Sequence, residues 1–175
     1  MKTKTISMVL AAALMACGGG GGKNDQATTT PATPAAKAST AAAAGLRIGH
    51  ANVYVDDQDK ALRFYTDVLG FAEKDDVTNG PYRWLTVNAP ADPDGTELQL
   101  ALNDNPAAKA YQQALFEQGQ PALMFYTNDV QGDFERIKAR GAEFTMPPTE
   151  VMAGSVIATL KDGCGNLIQL TQLAQ

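Results

Sequence analysis

Polar and apolar side chains alternate along residues 47–55, and this period of two predicts a β-strand. One face of the strand carries small and β-branched residues, which suit a packed core. The other face is polar and aromatic and carries the only histidine of the chain. Its members are Ile48, His50, Asn52 and Tyr54.

The period changes to that of a helix directly after this strand. Asp56, Asp57 and Asp59 supply carboxylates for the N-cap and the first turn, where the helix dipole favours negative charge. Gly70 suits the C-cap, so we expect a helix of about twelve residues. The apolar positions at helical spacing are Ala61, Leu62, Tyr65, Val68 and Leu69.

Three further strands are expected before residue 103. Residues 71–77 and 82–88 form a hairpin around a turn of Thr, Asn, Gly and Pro. Residues 96–102 alternate again, and we expect the leucines of this strand to face the core. The opposite face of this strand should then lie on the same side of the sheet as the face that carries His50. The leucines are Leu98, Leu100 and Leu102, and the opposite positions are Glu97, Gln99 and Ala101.

A second copy of this plan follows a connecting helix. The segments DQDKALRFYTDVLGF and DVQGDFERIKARGAEF share an acidic start, a helix of similar length, a capping glycine and an aromatic strand opening. Each copy is predicted to be a βαβββ module in an α+β fold. The connecting helix is predicted at 107–118. The second module is predicted to have strands at 122–127, 142–146, 155–160 and 166–173 and a helix at 129–140.

The first 45 residues predict export. Lys2 and Lys4 precede a short apolar run, residues 6–16, as in a secretory signal. The segment Leu-Met-Ala-Cys ending at Cys17 resembles a bacterial lipobox, which implies a signal peptide at 1–16 and lipid on Cys17. Gly18 after it favours the outer membrane, facing the periplasm. Residues 17–45, rich in Gly, Ala, Thr and Pro, are predicted to be a disordered tether.

The remaining composition restricts the partners. Removal of the signal changes the formal net charge from -5 to -7, and no basic cluster is present, so nucleic acid is not an expected partner. Cys164 is then the single cysteine of the domain, and no internal disulfide can form. We expect it to be a small buried packing residue.

The two modules resemble the vicinal oxygen chelate superfamily, which includes glyoxalase I, extradiol dioxygenases and bleomycin-binding resistance proteins. The resemblance rests on HxNxYVDDxxKAxxFYxDxLGF in the first module and on DVxxxxERxKARGxxF and DGCGNLIQL in the second. It implies the glyoxalase/bleomycin resistance/dioxygenase fold, with strands curved around a cup. The implied boundaries are module one at about 46–105, a connecting helix at 106–119 and module two at about 120–173, within a domain 46–175.

Metal-using members of that superfamily take one ligand from each of four strands. By resemblance, these positions fall on His50, on Gln99 with Glu97 nearby, on Ala122 and on Gln169. Alanine cannot bind a metal, and one histidine with neutral amides is a weak donor set for a divalent ion such as Zn, Ni, Mn, Fe or Mg. A complete site would require Glu97 to reach His50 and Gln169.

The expected lining of the cup suits a polar organic molecule with an aromatic or apolar part. Its predicted members are His50, Asn52, Tyr54, Glu97, Gln99, Met124, Tyr126, Gln169 and Thr171. Tyr54, Met124 and Tyr126 are also compatible with simple core packing, and the sequence leaves the position of Trp84 undecided.

Three functions remain open at this point. The first is an envelope-anchored protein that binds a small molecule without a complete metal site. The second is a glyoxalase-like lyase, isomerase or dioxygenase that uses a metal at His50, Glu97 or Gln99, and Gln169. The third is an interaction module of the envelope. Resemblance to the superfamily also implies that a second chain, in a homodimer, completes each cup.

Overall fold

The structure of the protein is a computed structural model that describes residues 45–174. The predicted signal peptide, Cys17 and most of the tether lie outside the described residues. Within the described part, no helix has both the length and the apolar character needed to cross a membrane.

The first module begins with a strand, as the alternation predicts, and continues in the expected order. Its helix is α-helical in its first half and π-helical in its second half. The elements are β1 (His50–Val55), α1 (Gln58–Arg63), the π-helical segment (Phe64–Leu69), β2 (Ala72–Asn79), β3 (Tyr82–Asn88) and β4 (Glu97–Leu102).

The connecting helix and the second module repeat this order. The elements are α2 (Pro106–Glu117), β5 (Leu123–Tyr126), α3 (Val130–Ala139), β6 (Phe144–Met152), β7 (Ser155–Lys161) and β8 (Leu167–Gln172). Most bounds lie within a few residues of the predicted ones. β1 begins at His50 rather than Arg47, and β6 extends to Met152.

Each module forms a four-stranded mixed sheet, and the two sheets have the same topology. The strand orders are β1-β4-β3-β2 and β5-β8-β7-β6. In each sheet the first strand pairs in parallel with the last, and the other pairs are antiparallel. The predicted α+β fold of two βαβββ modules is therefore confirmed.

The two helices begin at equivalent caps. Asp57 accepts from the Lys60 amide at 2.9 Å, and Asp129 accepts from the Gly132 amide at 2.8 Å. The first helix then widens into its π-helical segment and ends at Gly70, whose φ of 91° favours glycine. The prediction of a helix of about twelve residues is correct in length but did not anticipate the wider turn.

One hydrophobic core joins both modules. Buried side chains from the backs of the two sheets pack with the helices in a single cluster. It includes Val53, Leu85 and Leu100 from the first sheet, Leu160, Ile168 and Leu170 from the second, and Tyr65 and Ile137 from the helices. The opposite faces of both sheets therefore point away from the shared core.

One of the three leucines of β4 does not reach this core. Leu98 and Leu100 are buried as predicted, whereas Leu102 is 43% exposed. Leu102 is the last residue of its strand, and the chain leaves the sheet at that point. The prediction that all three leucines face the core is wrong for Leu102.

β2 and β6 each form one edge of their sheet, and both carry residues that hinder pairing with a further strand. β2 carries Glu73, Lys74, Asp75 and Asp76. β6 contains the pair Pro147 and Pro148, within a stretch where its register with β7 shifts. Both strands lie at the end of the order in their sheets.

Candidate functional site

The polar positions of β1 and β4 lie side by side on the open face of the first sheet. Parallel pairing places His50 beside Glu97 and Asn52 beside Gln99. The alternate residues Val53, Leu98 and Leu100 are buried on the other face. The register thus brings together the residues that the sequence predicted for the first half of the site.

Trp84 belongs to the same face. Its ring lies edge-on to the His50 imidazole, with 4.9 Å between the ring centroids and an interplanar angle of 84°. This contact answers the question that the sequence left undecided, because a residue packed beneath the helices could not contact His50. Trp84 is half-buried and is the only tryptophan of the chain.

Tyr82 is a residue of this face that the sequence analysis missed. Gln99 donates from Nε2 to its hydroxyl oxygen at 2.8 Å, which orients the amide. Asn52, Tyr82 and Gln99 line a cavity of about 210 Å³ that also contacts Gln58 and Arg83. Alternation along β3 could have identified Tyr82, because residues two positions apart in a strand point to the same face and Tyr82 lies two positions before Trp84.

Charged side chains surround His50 at the start of β1. A cavity of about 510 Å³ is lined by two cations, Arg47 and Lys74, and by two carboxylates, Asp94 and Glu97. His50 is exposed to this cavity. The sequence analysis included Glu97 but missed the other three, which come from β2, the β3–β4 loop and the residues before β1.

The second half of the predicted site lies on the other sheet. Pairing places Met124 beside Gln169 and Tyr126 beside Thr171. Gln169 donates from Nε2 to the Thr171 hydroxyl at 3.0 Å. It lines a cavity of about 470 Å³ that also includes Phe116 from the end of α2, which the sequence analysis did not place in the site.

Met124 and Tyr126 line a different cavity, of about 640 Å³, where the modules meet. Its apolar wall includes Phe71 and Phe125, whose ring centroids are 5.0 Å apart. The predicted residues therefore form separate groups in one chain, with His50 and Glu97 in one cavity and Gln169 in another.

The donor set does not fit a complete metal site of the family type. His50 and Glu97 are neighbours across β1 and β4, but Gln99 hydrogen-bonds Tyr82 and Gln169 hydrogen-bonds Thr171. Ala122 offers no donor. Among residues 45–174, no group of three or more His, Cys, Asp or Glu side chains is placed to hold an ion. Neutral amides do not replace the missing charged ligands of a divalent ion.

A buried polar network supports the end of β1 beneath the open face. The Tyr54 carbonyl oxygen accepts from Gln112 Nε2 at 2.6 Å and from Asn166 Nδ2 at 2.8 Å. Asp162 accepts from the backbone N–H groups of Cys164 and Asn166 and from Asn166 Nδ2. The network therefore joins the connecting helix to both modules at Tyr54, one of the predicted site residues.

Burial raises the pKa of two groups in this region, the Asp162 carboxyl and the Cys164 thiol. Burial is the largest influence on the Asp162 carboxyl and raises its pKa, although three hydrogen bonds oppose the shift. Burial, with the nearby Asp162 charge, raises the pKa of the Cys164 thiol to about 12. Cys164 is fully buried, as predicted for a packing residue.

The sequence and the fold have relatives among known proteins. Residues 47–170 match the family described as the Glyoxalase/Bleomycin resistance protein/Dioxygenase superfamily. The chain is 48% identical over 127 residues to YurT, an uncharacterized protein of Bacillus subtilis (strain 168). That alignment covers 73% of this chain and 99% of YurT.

Two further relatives have names that describe an activity. A probable lactoylglutathione lyase of Vibrio cholerae is 29% identical, with 74% of this chain and 92% of that protein covered. The crystal structure of TnmS3, an antibiotic binding protein from Streptomyces sp. CB03234, superposes with a TM-score of 0.59 at 30% identity. The match covers 75% of this chain and 98% of TnmS3.

Proposed function

The chain belongs to the Glyoxalase/Bleomycin resistance protein/Dioxygenase superfamily, and from that premise we propose that it binds a small polar organic molecule on the open faces of its sheets. The observation that supports this function most directly is the face around His50. There, hydrogen-bonding groups line two cavities open to solvent instead of a packed core, and the Trp84 ring lies against His50 in one of them. The likeness to an antibiotic binding protein is consistent with such a role.

Polar side chains at these positions need partners. A buried amide such as that of Gln99 costs about 1–3 kcal/mol if part of its hydrogen-bonding capacity is unmet. Gln99 has one protein partner, the Tyr82 hydroxyl, and its carbonyl oxygen is free to accept from a ligand. Trp84 offers an aromatic surface beside this polar row. A ligand with a planar or apolar part and several hydrogen-bonding groups would satisfy both.

Fluorescence of Trp84 provides the test, because no other tryptophan contributes to the signal. We expect saturable changes when polar aromatic compounds are titrated into the protein. Gln99→Leu should weaken binding, whereas Gln113→Leu, on the exposed side of α2, should not. A crystal structure in which protein side chains fill the face around Trp84 and leave no cavity would contradict the proposal.

A second copy of the chain is the expected completion of the cavity. The open faces of the two sheets point away from one core, so a cup closed on both sides requires the second sheet of another chain. Exposed apolar side chains on these faces support such an interface: Val77, Tyr82, Met124 and Tyr126. We expect a dimer by light scattering. Tyr126→Glu should produce monomers, whereas Tyr111→Glu, at a similarly exposed tyrosine of α2, should not.

Lipid attachment at Cys17 would place this domain on the bacterial envelope, at the outer membrane facing the periplasm. The lipobox-like sequence supports this location. Expressed in a bacterium with lipoprotein processing, the protein should sediment with membranes and have an acylated N-terminal peptide by mass spectrometry. Cys17→Ser should release it from the membrane fraction. An unprocessed or unmodified N-terminus in the wild type would contradict this part of the proposal.

A metal-dependent reaction is the second candidate, and the register of β1 and β4 favours it. His50 and Glu97 are the two strongest donors of the predicted set, and they are direct neighbours. The name of the Vibrio cholerae relative is consistent with this class of reaction. The incomplete donor set argues for the binding function instead.

A further inference from the structure

The side chains around His50 indicate which kind of ligand fits there. The chain as a whole is acidic, with 19 Asp and Glu against 14 Lys and Arg. In such a protein, most cationic side chains find carboxylates or carbonyl groups. Cations that lack these partners and line one cavity therefore indicate the charge of the ligand that the cavity could bind.

Most cations in residues 45–174 have a partner. Three form ion pairs with carboxylates, two donate to backbone carbonyl oxygens, and one lies over an aromatic ring. They are Arg83, Arg136, Lys161, Lys60, Arg140 and Lys138 respectively.

Two of the remaining cations lie together at the candidate site. Arg47 and Lys74 line the cavity of His50 and have no ion pair within the described range. The carboxylates of Asp94 and Glu97 line the same cavity without pairing with them. The other two cations without partners there, Arg63 and Lys109, do not line it.

We infer that the ligand of this site carries a carboxylate, held by Arg47 and Lys74 beside His50. This inference rests on the proposed binding function and specifies the chemical class of the ligand. A guanidinium and an ammonium group are the donors that pair with carboxylates. The aromatic or apolar part of the ligand then lies toward Trp84, whose ring contacts His50 edge-on.

The total charge of the cavity gives a dianion no advantage over a monoanion. Two cations face two carboxylates, so the formal charge of the lining is zero when His50 is neutral. A monoanion can approach the two cations while its hydrogen-bond donors face Asp94 or Glu97. A phosphonate dianion would be attracted more strongly by the two cations and repelled more strongly by the two carboxylates, so its second charge should add little to its affinity.

Four probes of similar shape and different charge test this inference on the full domain. They are phenylpropionate, phenylpropionamide, phenylethylphosphonate and phenylpropylammonium, each titrated while Trp84 fluorescence is followed. We expect the monoanion to bind about fivefold more tightly than the neutral amide, which corresponds to about 1 kcal/mol from exposed ion pairs. Added salt should reduce this preference because it screens exposed charges.

Charge-neutral variants identify the cations responsible. Arg47→Gln and Lys74→Gln should each reduce the affinity for phenylpropionate several-fold and leave that for phenylpropionamide unchanged. Arg63→Gln and Lys109→Gln remove the same charge outside the cavity and should change neither affinity. A lower affinity for phenylpropionate in the first two variants, with unchanged affinity in the second two, would exclude a general effect of net charge.

The outcomes separate this inference from the proposed function. Equal affinity for the carboxylate and the amide would overturn the inference, while the proposed binding function would stand. Tightest binding of the ammonium or the phosphonate would also overturn it. Failure of all four probes would overturn the inference, and a face filled by protein side chains in the crystal would in addition overturn the proposed function.

Discussion

Gln112 of the connecting helix donates a hydrogen bond to the carbonyl oxygen of Tyr54, with 2.6 Å between Nε2 and O. The same nitrogen lies 2.9 Å from the carbonyl oxygen of Cys164. An amide nitrogen has two hydrogens, so these two acceptors use its full capacity. One buried side chain thereby links the end of β1 in the first module to the β7–β8 turn of the second.

Replacement of Gln112 should therefore destabilise the whole domain. In Gln112→Leu the Cys164 carbonyl loses its donor, and Asn103, which donates to Gln112 Oε1 at 2.5 Å, loses its acceptor. We expect a loss of about 2–4 kcal/mol in the free energy of unfolding, measured with urea. Gln113→Leu is the matched control, and its effect should stay below about 0.5 kcal/mol. Equal effects of the two variants would show that the network is not important.

Gly165 should not tolerate a side chain, because it lies against the same glutamine. Its φ is 96°, and a Cβ there would lie 2.9 Å from Gln112 Nε2. Gly163→Ala is the control, since its φ of 73° imposes similar backbone strain but the nearest atom is 3.7 Å away. We expect Gly165→Ala to have the lower midpoint in thermal unfolding. In a Gln112→Ala background, the difference between the two alanine variants should shrink.

The buried carboxyl of Asp162 should make stability depend on pH. Burial raises its folded-state pKa above the ordinary value of 3.8. As the pH rises from 3.8 through the folded-state pKa, the unfolded chain loses its proton first, so the free energy of unfolding should fall. Urea unfolding at several pH values measures this slope.

The variant Asp162→Asn provides the comparison for that slope. It cannot lose a proton, so the fall in this pH window should be smaller than in the wild type. It should also be less stable than the wild type near neutral pH, because its amide would present a donor to Asn166 Nδ2, which donates to Asp162 at 2.6 Å. Identical slopes in the two proteins would show that Asp162 does not titrate in this range.

Metal content tests the second candidate function. We expect less than about a tenth of an equivalent of Zn, Ni, Mn, Fe or Mg in tag-free protein after supplementation and desalting, because the donor set is incomplete. The variant Ala122→His supplies the imidazole expected at the first strand of the second module and should raise the metal content if a second chain completes the site. Stoichiometric metal in the wild type that is lost in His50→Ala would contradict the expectation.

The sequence predicted those parts of the fold that depend on local periodicity. Alternation identified the polar face of β1, and the acidic caps and glycines marked both helices. The repeat then predicted the second module from the first. These features depend on residues near one another in the chain, which is why they can be read without a structure.

The parts that were not predicted depend on contacts between distant residues. Arg47, Lys74 and Asp94 lie on three separate segments, and only the packing of strands and loops brings them to His50. The position of Trp84 required the register of β3. The π-helical segment carries no distinct sequence signal. The division of the predicted lining between two sheets followed from the shared core, which the sequence does not specify.

The sequences of the edge strands determine where another chain could extend a sheet. The proline pair of β6 lacks backbone N–H groups, and the charged side chains of β2 discourage a neighbouring strand. These two edges are therefore protected from the strand addition that begins aggregation. β1 and β5, at the opposite edges, contain neither proline nor charged residues. Strand addition between copies of this domain would therefore be directed to the unprotected edges, β1 and β5, which carry His50 and Tyr126.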